Sequence, residues 1–423
     1  MSLKSRVGLL SDHDFRGLFI STTVTHLGNR ITMLALPLAA ILNLNATEFE
    51  VGALTALTTI AFLLVGLPAG AWVDRMRRRL VMINSDIARA LVLLTVPLAW
   101  WTDTLTIWQL YAVALINGIF TVFFDVAYQS YLPHLVGRKN LVEANAKLES
   151  VRAVAEVGGP GAGGQLVALL TAPVALLAHC ISMATSALFV VKIRKREEKP
   201  ARKPDANLMR EIKEGLRWVI GNRLLRAIVM CTGTFNFSMT LFHTMLLVYL
   251  VQSLGVGAGT VGLILSIGAS GGVIGAFLAR KFAAAVGQGP SMWMSVGVCA
   301  PASALMPLAS NDWTLWVAAV GGMFVAMGVV FYNVTQVSFR QSMTPDSLLG
   351  RMNATVRFIV FGTMPLGAFI SGVLGANIGV VATLWVGVAG IALAVMPILL
   401  SPLRNLKKLP TPPEDLETST TGT

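Results

Sequence analysis

The chain has 423 residues, 55% of them hydrophobic and only 13% charged, with a mean hydropathy of +0.69. Soluble domains carry about 25% charged residues, so this composition excludes a soluble protein. The net charge of +12 would suit nucleic acid, but the basic residues sit in turns between apolar runs, which is a signal of membrane topology.

Lys4, Arg6 and Arg16 precede an apolar run over 17–43. It is too long for a signal-peptide core and no small-residue cleavage site follows, so it reads as a first membrane helix that is retained. Further runs cover 50–73, 80–101, 107–130, 149–171, 173–192, 224–252, 259–280, 290–309, 313–338, 352–376 and 380–402. A helix of ~20 apolar residues crosses the hydrocarbon core, so the expectation is twelve spans with both termini on one side. Assigning the loops alternately leaves every outer loop without Lys or Arg and places Glu48, Glu50, Asp103 and Asp312 there. Both termini are therefore expected in the cytoplasm of a cell whose inner membrane holds the protein.

The longest inner loop, 193–222, begins with the solvated run Arg194-Lys195-Arg196-Glu197-Glu198-Lys199-Pro200. It continues with Leu208, Ile212, Leu216 and Val219 at helical spacing, with Arg210, Lys213 and Arg217 between them and Trp218 alongside. That pattern predicts an amphipathic helix for the inner membrane surface. The expected organisation is an N-terminal half over 1–192, this linker, a C-terminal half over 223–403, and a disordered tail over 404–423. The halves repeat at an offset of 208 residues: Asn145-Ala146 faces Asn353-Ala354, Gly159 faces Gly367 and Gly164 faces Gly372. Duplicated halves mark transporters, with the substrate site at their interface.

The turn between the second and third spans reads Gly70-Ala-Trp-Val-Asp74-Arg75-Met-Arg77-Arg78-Arg79. Gly70 has no side chain, so another helix could approach there. Asp74 could cap a helix end or pair with an arginine. This stretch resembles the signature between the second and third helices of the major facilitator superfamily, with Arg77 standing where that signature has a second glycine. In the fifth span, Gly158-Gly159-Pro160-Gly161-Ala162-Gly163-Gly164 resembles the Gly-Pro signature of superfamily antiporters, which are mostly exporters; Ala155 stands where that signature has a further glycine. Phe15-Arg16, Leu27-Gly28-Asn29, Leu141-Val142-Glu143-Ala144-Asn145-Ala146 and Leu348-Leu349-Gly350-Arg351-Met352-Asn353 are similar to the branch of enterobactin exporters and macrolide efflux pumps. Where that branch usually carries an acid, this chain has Asn29-Arg30.

The resemblance implies an all-α fold of twelve transmembrane helices in two pseudo-symmetric six-helix halves. It also implies a central cavity lined by the first, fourth, seventh and tenth helices. Candidates there are His26, Asn29, Arg30, Asn117, Asn236, His243, Asn333 and Gln336, with Phe120, Phe124, Phe235, Phe242 and Tyr332 as apolar walls. Ionisable groups inside a membrane cost ~2.5–3.5 kcal/mol each on insertion scales, so each is a functional candidate. Asp125 and Glu156 are the candidate proton carriers, and Asp125 is preferred because Arg152, four residues before Glu156, could hold it as a permanent ion. Arg30 requires a partner: a carboxylate, Asp125 or Glu156, or an acidic substrate held by the guanidinium fork. Asp86 and Arg89 are read as a structural pair. Gly70, Asp74, Arg75, Arg78, Arg79, Gly159, Pro160, Gly163 and Gly164 are the gating candidates.

The expected function is proton-driven export of amphipathic compounds such as drugs, macrolides or siderophores, by a monomer acting on small molecules. Uptake of a metabolite is the alternative. A membrane-embedded enzyme or a non-transporting receptor is remote, because the five histidines (His13, His26, His134, His179, His243) are scattered. No nucleotide-binding loop, cofactor motif or metal motif is present; Cys180, Cys231 and Cys299 lie apart in apolar runs.

Overall fold

The structure is a computed structural model that describes residues 8–73, 75–195, 197 and 208–406. Asp74 and Arg196, singled out in the sequence, lie outside the described residues, as does the chain beyond Leu406. The first residues of the expected tail, Arg404 to Leu406, are described: Pro402–Asn405 is a 3-10 turn, and Gly289 donates its N–H to the Leu406 carbonyl at 2.8 Å.

Every backbone polar group in a bilayer must be satisfied within the chain, and the described chain answers with helices and no strand. They are α1 (His13–Leu44), α2 (Glu48–Val73), α3 (Arg78–Trp101), α4 (Ile107–Val136), α5 (Leu141–Leu170), α6 (Ala172–Val191), α7 (Arg223–Val248), α8 (Ala258–Val286), α9 (Gln288–Ala304), α10 (Thr314–Met343), α11 (Asp346–Ile378) and α12 (Val380–Leu393). A linker helix, Leu208–Gly221, precedes α7, and its side chains are described from Glu214 onward. Each apolar run of the sequence is helical, the last of them as α12 followed by the short helix Met396–Leu399. Ten of the twelve are long and apolar enough to cross a membrane, the last counted from Val380 to Leu399. The other two are α9, with 17 residues, and α5, diluted by its glycines and by Glu156 and Gln165.

Caps fix the ends. Asp12 accepts from the N–H groups of Asp14 and Phe15 at 2.9 and 2.8 Å and starts α1. Asn45 ends it in the left-handed conformation, φ 50°. Asp312 accepts from the Thr314 hydroxyl and N–H, and these bonds hold its carboxyl below the ordinary carboxylate value.

By contact, the described chain groups into two compact units. The first draws on Met1–Lys203, Thr244–Ser266 and Ala368–Val380, the second on Pro204–His243, Ile267–Gly367 and Val381–Thr423. Within the first, Phe15, Leu18, Met82, Phe124, Tyr131, Leu132 and Val190 form a buried core. Within the second, Ile228, Cys231, Phe235, Met292, Cys299, Tyr332, Phe339 and Ile398 do the same.

The sequence repeat has a geometric counterpart. A Cβ at Gly159 of α5 would strike the Arg30 side chain of α1, and one at Gly367 of α11 would strike the Phe237 backbone of α7. Five residues further on, Gly164 of α5 crosses the backbone of Gly262 in α8, and Gly372 of α11 crosses that of Gly52 in α2. Glycine on glycine lets two backbones meet with no side chain between them. These crossings place the ends of α8 and α11 in the first unit.

Candidate substrate and proton site

Three charged residues of α5, Glu149, Arg152 and Glu156, are spaced by three and four and share one helix face. Across from them, α1 presents His26 and Arg30, also four apart. Arg30 lies about 25 Å from the start of α1 at 1.5 Å per residue, in the middle of the helix. Its guanidinium pairs with Glu156 at 3.1 Å, with side chains 30% and 46% exposed. The expected pairing of Arg152 with Glu156 is not the one formed. Arg152 instead grips Glu149, its Nε 3.1 Å from both carboxylate oxygens and its Nη2 2.7 Å from Oε1. A fork on a carboxylate satisfies more donors than a single contact with Glu156 would. His26 lies within electrostatic reach of Arg152, Arg30, Glu149 and Glu156. On α4, Tyr128 is within reach of both Asp125 and Glu149. The first unit therefore strings Asp125, Tyr128, Glu149, Arg152, His26, Glu156 and Arg30 into one ionisable ladder across α4, α5 and α1.

The glycine signature of α5 shapes this ladder. Gly159 leaves room for the Arg30 stem, and Gly163, one turn on, seats against Ile31. On another side, Gly161 donates its N–H to the Ser266 hydroxyl of α8 at 2.8 Å. Pro160 has no N–H to return to the Glu156 carbonyl, so the backbone is less constrained beside the paired carboxylate.

A second polar group lies deeper in the same unit. Asp86, Arg89, Ser186, His179 and Ser21 are fully buried. Asp86 binds Arg89 through one oxygen and accepts from the Ser186 hydroxyl at 2.5 Å through the other. Ser186 in turn meets Ser21 at 2.7 Å. Arg89 donates to the Thr121 hydroxyl at 3.3 Å and lies 4.8 Å from the Phe124 ring centroid. His179 bonds Thr32 at 2.5 Å and packs where Gly28 of α1 has no side chain. The network joins α1, α3, α4 and α6, which matches the structural reading of the Asp86–Arg89 pair.

The second unit holds Asn236, His243, Asn333 and Gln336. Asn236 donates to the Thr232 carbonyl one turn back, at 2.8 Å. His243 is exposed and sits edge-on to Phe242. Gln336 is buried and donates to Asn333, which is exposed, at 3.3 Å. Tyr332 binds Thr232 at 2.7 Å. Of the aromatic walls, Phe124, Phe235, Phe242 and Tyr332 are buried in helix packing, each 6% exposed or less, and Phe120 is half-buried. Asn117, in the first unit, is buried, and its Oδ1 has no hydrogen-bond partner among the described residues.

In the basic turn, Arg75 is exposed while Arg78 and Arg79 turn back onto the protein. Arg79 donates to the carbonyls of Val190 and Val191 at 3.1 and 2.6 Å, capping the C-terminus of α6. Arg78 lies 3.8 Å from Glu197 of the linker. At Gly70, among the described residues, nothing lies within 4 Å of where a Cβ would be.

Sequence reasoning missed Glu149 and Tyr128, although the 149, 152, 156 spacing was a legible signal. It also overlooked Arg357, which lies within α11, is exposed, and has its guanidinium 5.6 Å from the Phe361 ring.

Residues 18–362 match the family model of the Major Facilitator Superfamily. The chain is 27% identical to the multidrug efflux pump Tap of Mycolicibacterium fortuitum over 90% of its length and 93% of that protein's. It is 24% identical to macrolide efflux protein A of Streptococcus pyogenes, over 90% and 94%. It is also 24% identical to the enterobactin exporter EntS of Escherichia coli O1:K1, over 93% and 92%. In fold it is similar to a bacterial homologue of the iron transporter ferroportin in its inward-facing state, with a TM-score of 0.75 at 15% identity, covering 95% of this chain and 99% of the other.

Proposed function

Because the chain belongs to the Major Facilitator Superfamily, we propose that it is a secondary active exporter of amphipathic organic compounds, driven by proton antiport across the inner membrane. The observation that carries this reading is the part-exposed Arg30–Glu156 pair in mid-helix. Charges are costly there and persist where they act. The efflux activities named for the three relatives support export as the direction.

Glu156 is the proton carrier in this reading and Asp125 the relay at the other end of the ladder. Arg152, which would hold Glu156 as a permanent ion from its own helix, is occupied by Glu149, and the arginine that does hold Glu156 is Arg30 of α1, in a part-exposed pair. An ionised Glu156 holds Arg30 and offers its remaining oxygen to a basic or hydrogen-bonding substrate. A proton on Glu156 removes that interaction and releases the substrate. Proton and substrate are then alternatives at one carboxylate, which is the condition for antiport. An acidic substrate would reverse the linkage: it would need Arg30 free, and the proton on Glu156 would travel with it.

Expression in a drug-hypersensitive host tests the reading. Cells should accumulate less of a macrolide or a lipophilic cation than cells with an empty vector, and a protonophore should abolish the difference. Equal accumulation of every compound in a broad panel, or increased accumulation of one, would reject export.

A further inference from the structure

The linker helix and the start of α11 border an open cleft of about 470 Å³, lined by Glu214, Arg217, Trp218, Gly221, Asn222 and Leu348. The transport cycle proposed above makes no use of it. The cleft belongs to a fixed part of the second unit: Val219 packs with Met352, Val356 and Val360, and Gly215 seats against the Arg351 backbone and Thr355.

The polar chemistry of the lining is one-sided. Its single acid, Glu214, is bound through Oε2 by Arg351 at 2.5 Å. Asn222 spends its carbonyl oxygen on the N–H groups of Leu224 and Leu225, at 2.9 and 3.2 Å, which leaves its amide NH₂ as a donor. The indole N–H of Trp218 is buried and has no hydrogen-bond partner among the described residues. Arg217 is exposed and makes no ion pair among the described residues. The residues that carry these three donors line one cleft, and an unmade buried hydrogen bond costs ~1–3 kcal/mol. Such a lining calls for an oxyanion.

Its surroundings say which kind. Leu216 and Ile220 on the same helix are 39% and 49% exposed, and Trp218 is a residue type that settles at a bilayer interface. A free inorganic anion gains nothing from these apolar groups, whereas a lipid covers them. We infer that the cleft binds the phosphate headgroup of an anionic phospholipid in the leaflet that the linker faces. Arg217, the Trp218 indole N–H and the Asn222 amide are the donors, and the acyl chains lie against Leu216 and Ile220. The bound lipid braces the linker helix against α11.

The test uses the purified full-length chain in detergent, titrated with dioleoylphosphatidylglycerol or dioleoylphosphatidylcholine. Lipid retention is read by native mass spectrometry and stabilisation by thermal unfolding. Phosphatidylglycerol should be retained and should raise the unfolding temperature more than phosphatidylcholine does. Arg217→Gln should weaken its retention roughly ten-fold, the loss of one charge-assisted hydrogen bond. Trp218→Phe, which keeps an aromatic ring and removes the N–H donor, should also weaken it, and millimolar inorganic phosphate should not displace the lipid. Equal retention of the two lipids would overturn the inference, as would full retention by both variants. Displacement by phosphate would reassign the cleft to a free anion and overturn the lipid claim. None of these readouts needs transport, so their failure would leave the export reading standing.

Discussion

Glu156 has two arginines within reach, one on its own helix and one on α1, and the choice between them depends on Glu149. Replacing Glu149 with Gln frees Arg152, which can then compete with Arg30 for Glu156 at i,i+4 spacing. The expected outcome is impaired coupling with normal insertion, measured as loss of protonophore-sensitive export at unchanged expression. Arg30→Lys should keep most activity, because a simple charge pair survives the change, while Arg30→Gln should not. Severe loss with Arg30→Lys would point instead to recognition of an acidic substrate by the guanidinium fork. The buried pair behaves differently. Removing one member of a buried ion pair costs about 3–5 kcal/mol, because the other is left as an uncompensated charge. Arg89→Leu should therefore destabilise strongly, and the double variant Asp86→Leu/Arg89→Leu should recover part of the loss. A thermal-unfolding double-mutant cycle measures this, and strict additivity would show that the two residues do not act as a pair.

At the scale of helices, the α5 glycines differ sharply in what an added methyl group would meet. At Gly158 there is open space among the described residues, whereas Gly164 faces the Gly262 backbone and Gly159 faces Arg30. Gly158→Ala should be silent. Gly164→Ala should separate α5 from α8, and Gly159→Ala should displace the Arg30 side chain and lower transport. Equal effects at all three positions would mean that helix propensity, not close approach, dominates. The helices themselves were legible because a bilayer admits few other structures and because each run ends at a short polar turn. The crossings were half legible: the 208-residue repeat paired Gly164 with Gly372 but could not name Gly262 and Gly52 as their partners. Ion-pair partners were partly legible: spacing gave Asp86–Arg89, and left Arg30 a choice between Asp125 and Glu156. Spacing placed Glu149 and Glu156 on the same face as Arg152, one turn before it and one turn after, and only the packing of α1 on α5 decided that Arg30 takes Glu156.

For the whole molecule, the charge asymmetry of the loops predicts cytoplasmic termini and a cytoplasmic linker. A cysteine at Asp103 should react with an impermeant label in intact cells, and one at Arg196 should react only after permeabilisation. External labelling at Arg196 would invert the topology, and with it the direction of transport argued here. The central claim is that proton and substrate compete at the Glu156 end of the ladder. It is tested most directly by recording luminal pH in proteoliposomes of the purified protein while a macrolide or lipophilic cation moves. The account predicts that protons cross opposite to the substrate, and that Glu156→Gln uncouples the two while still binding the compound. Protons moving in the same direction as the substrate, or full coupling in Glu156→Gln, would contradict it.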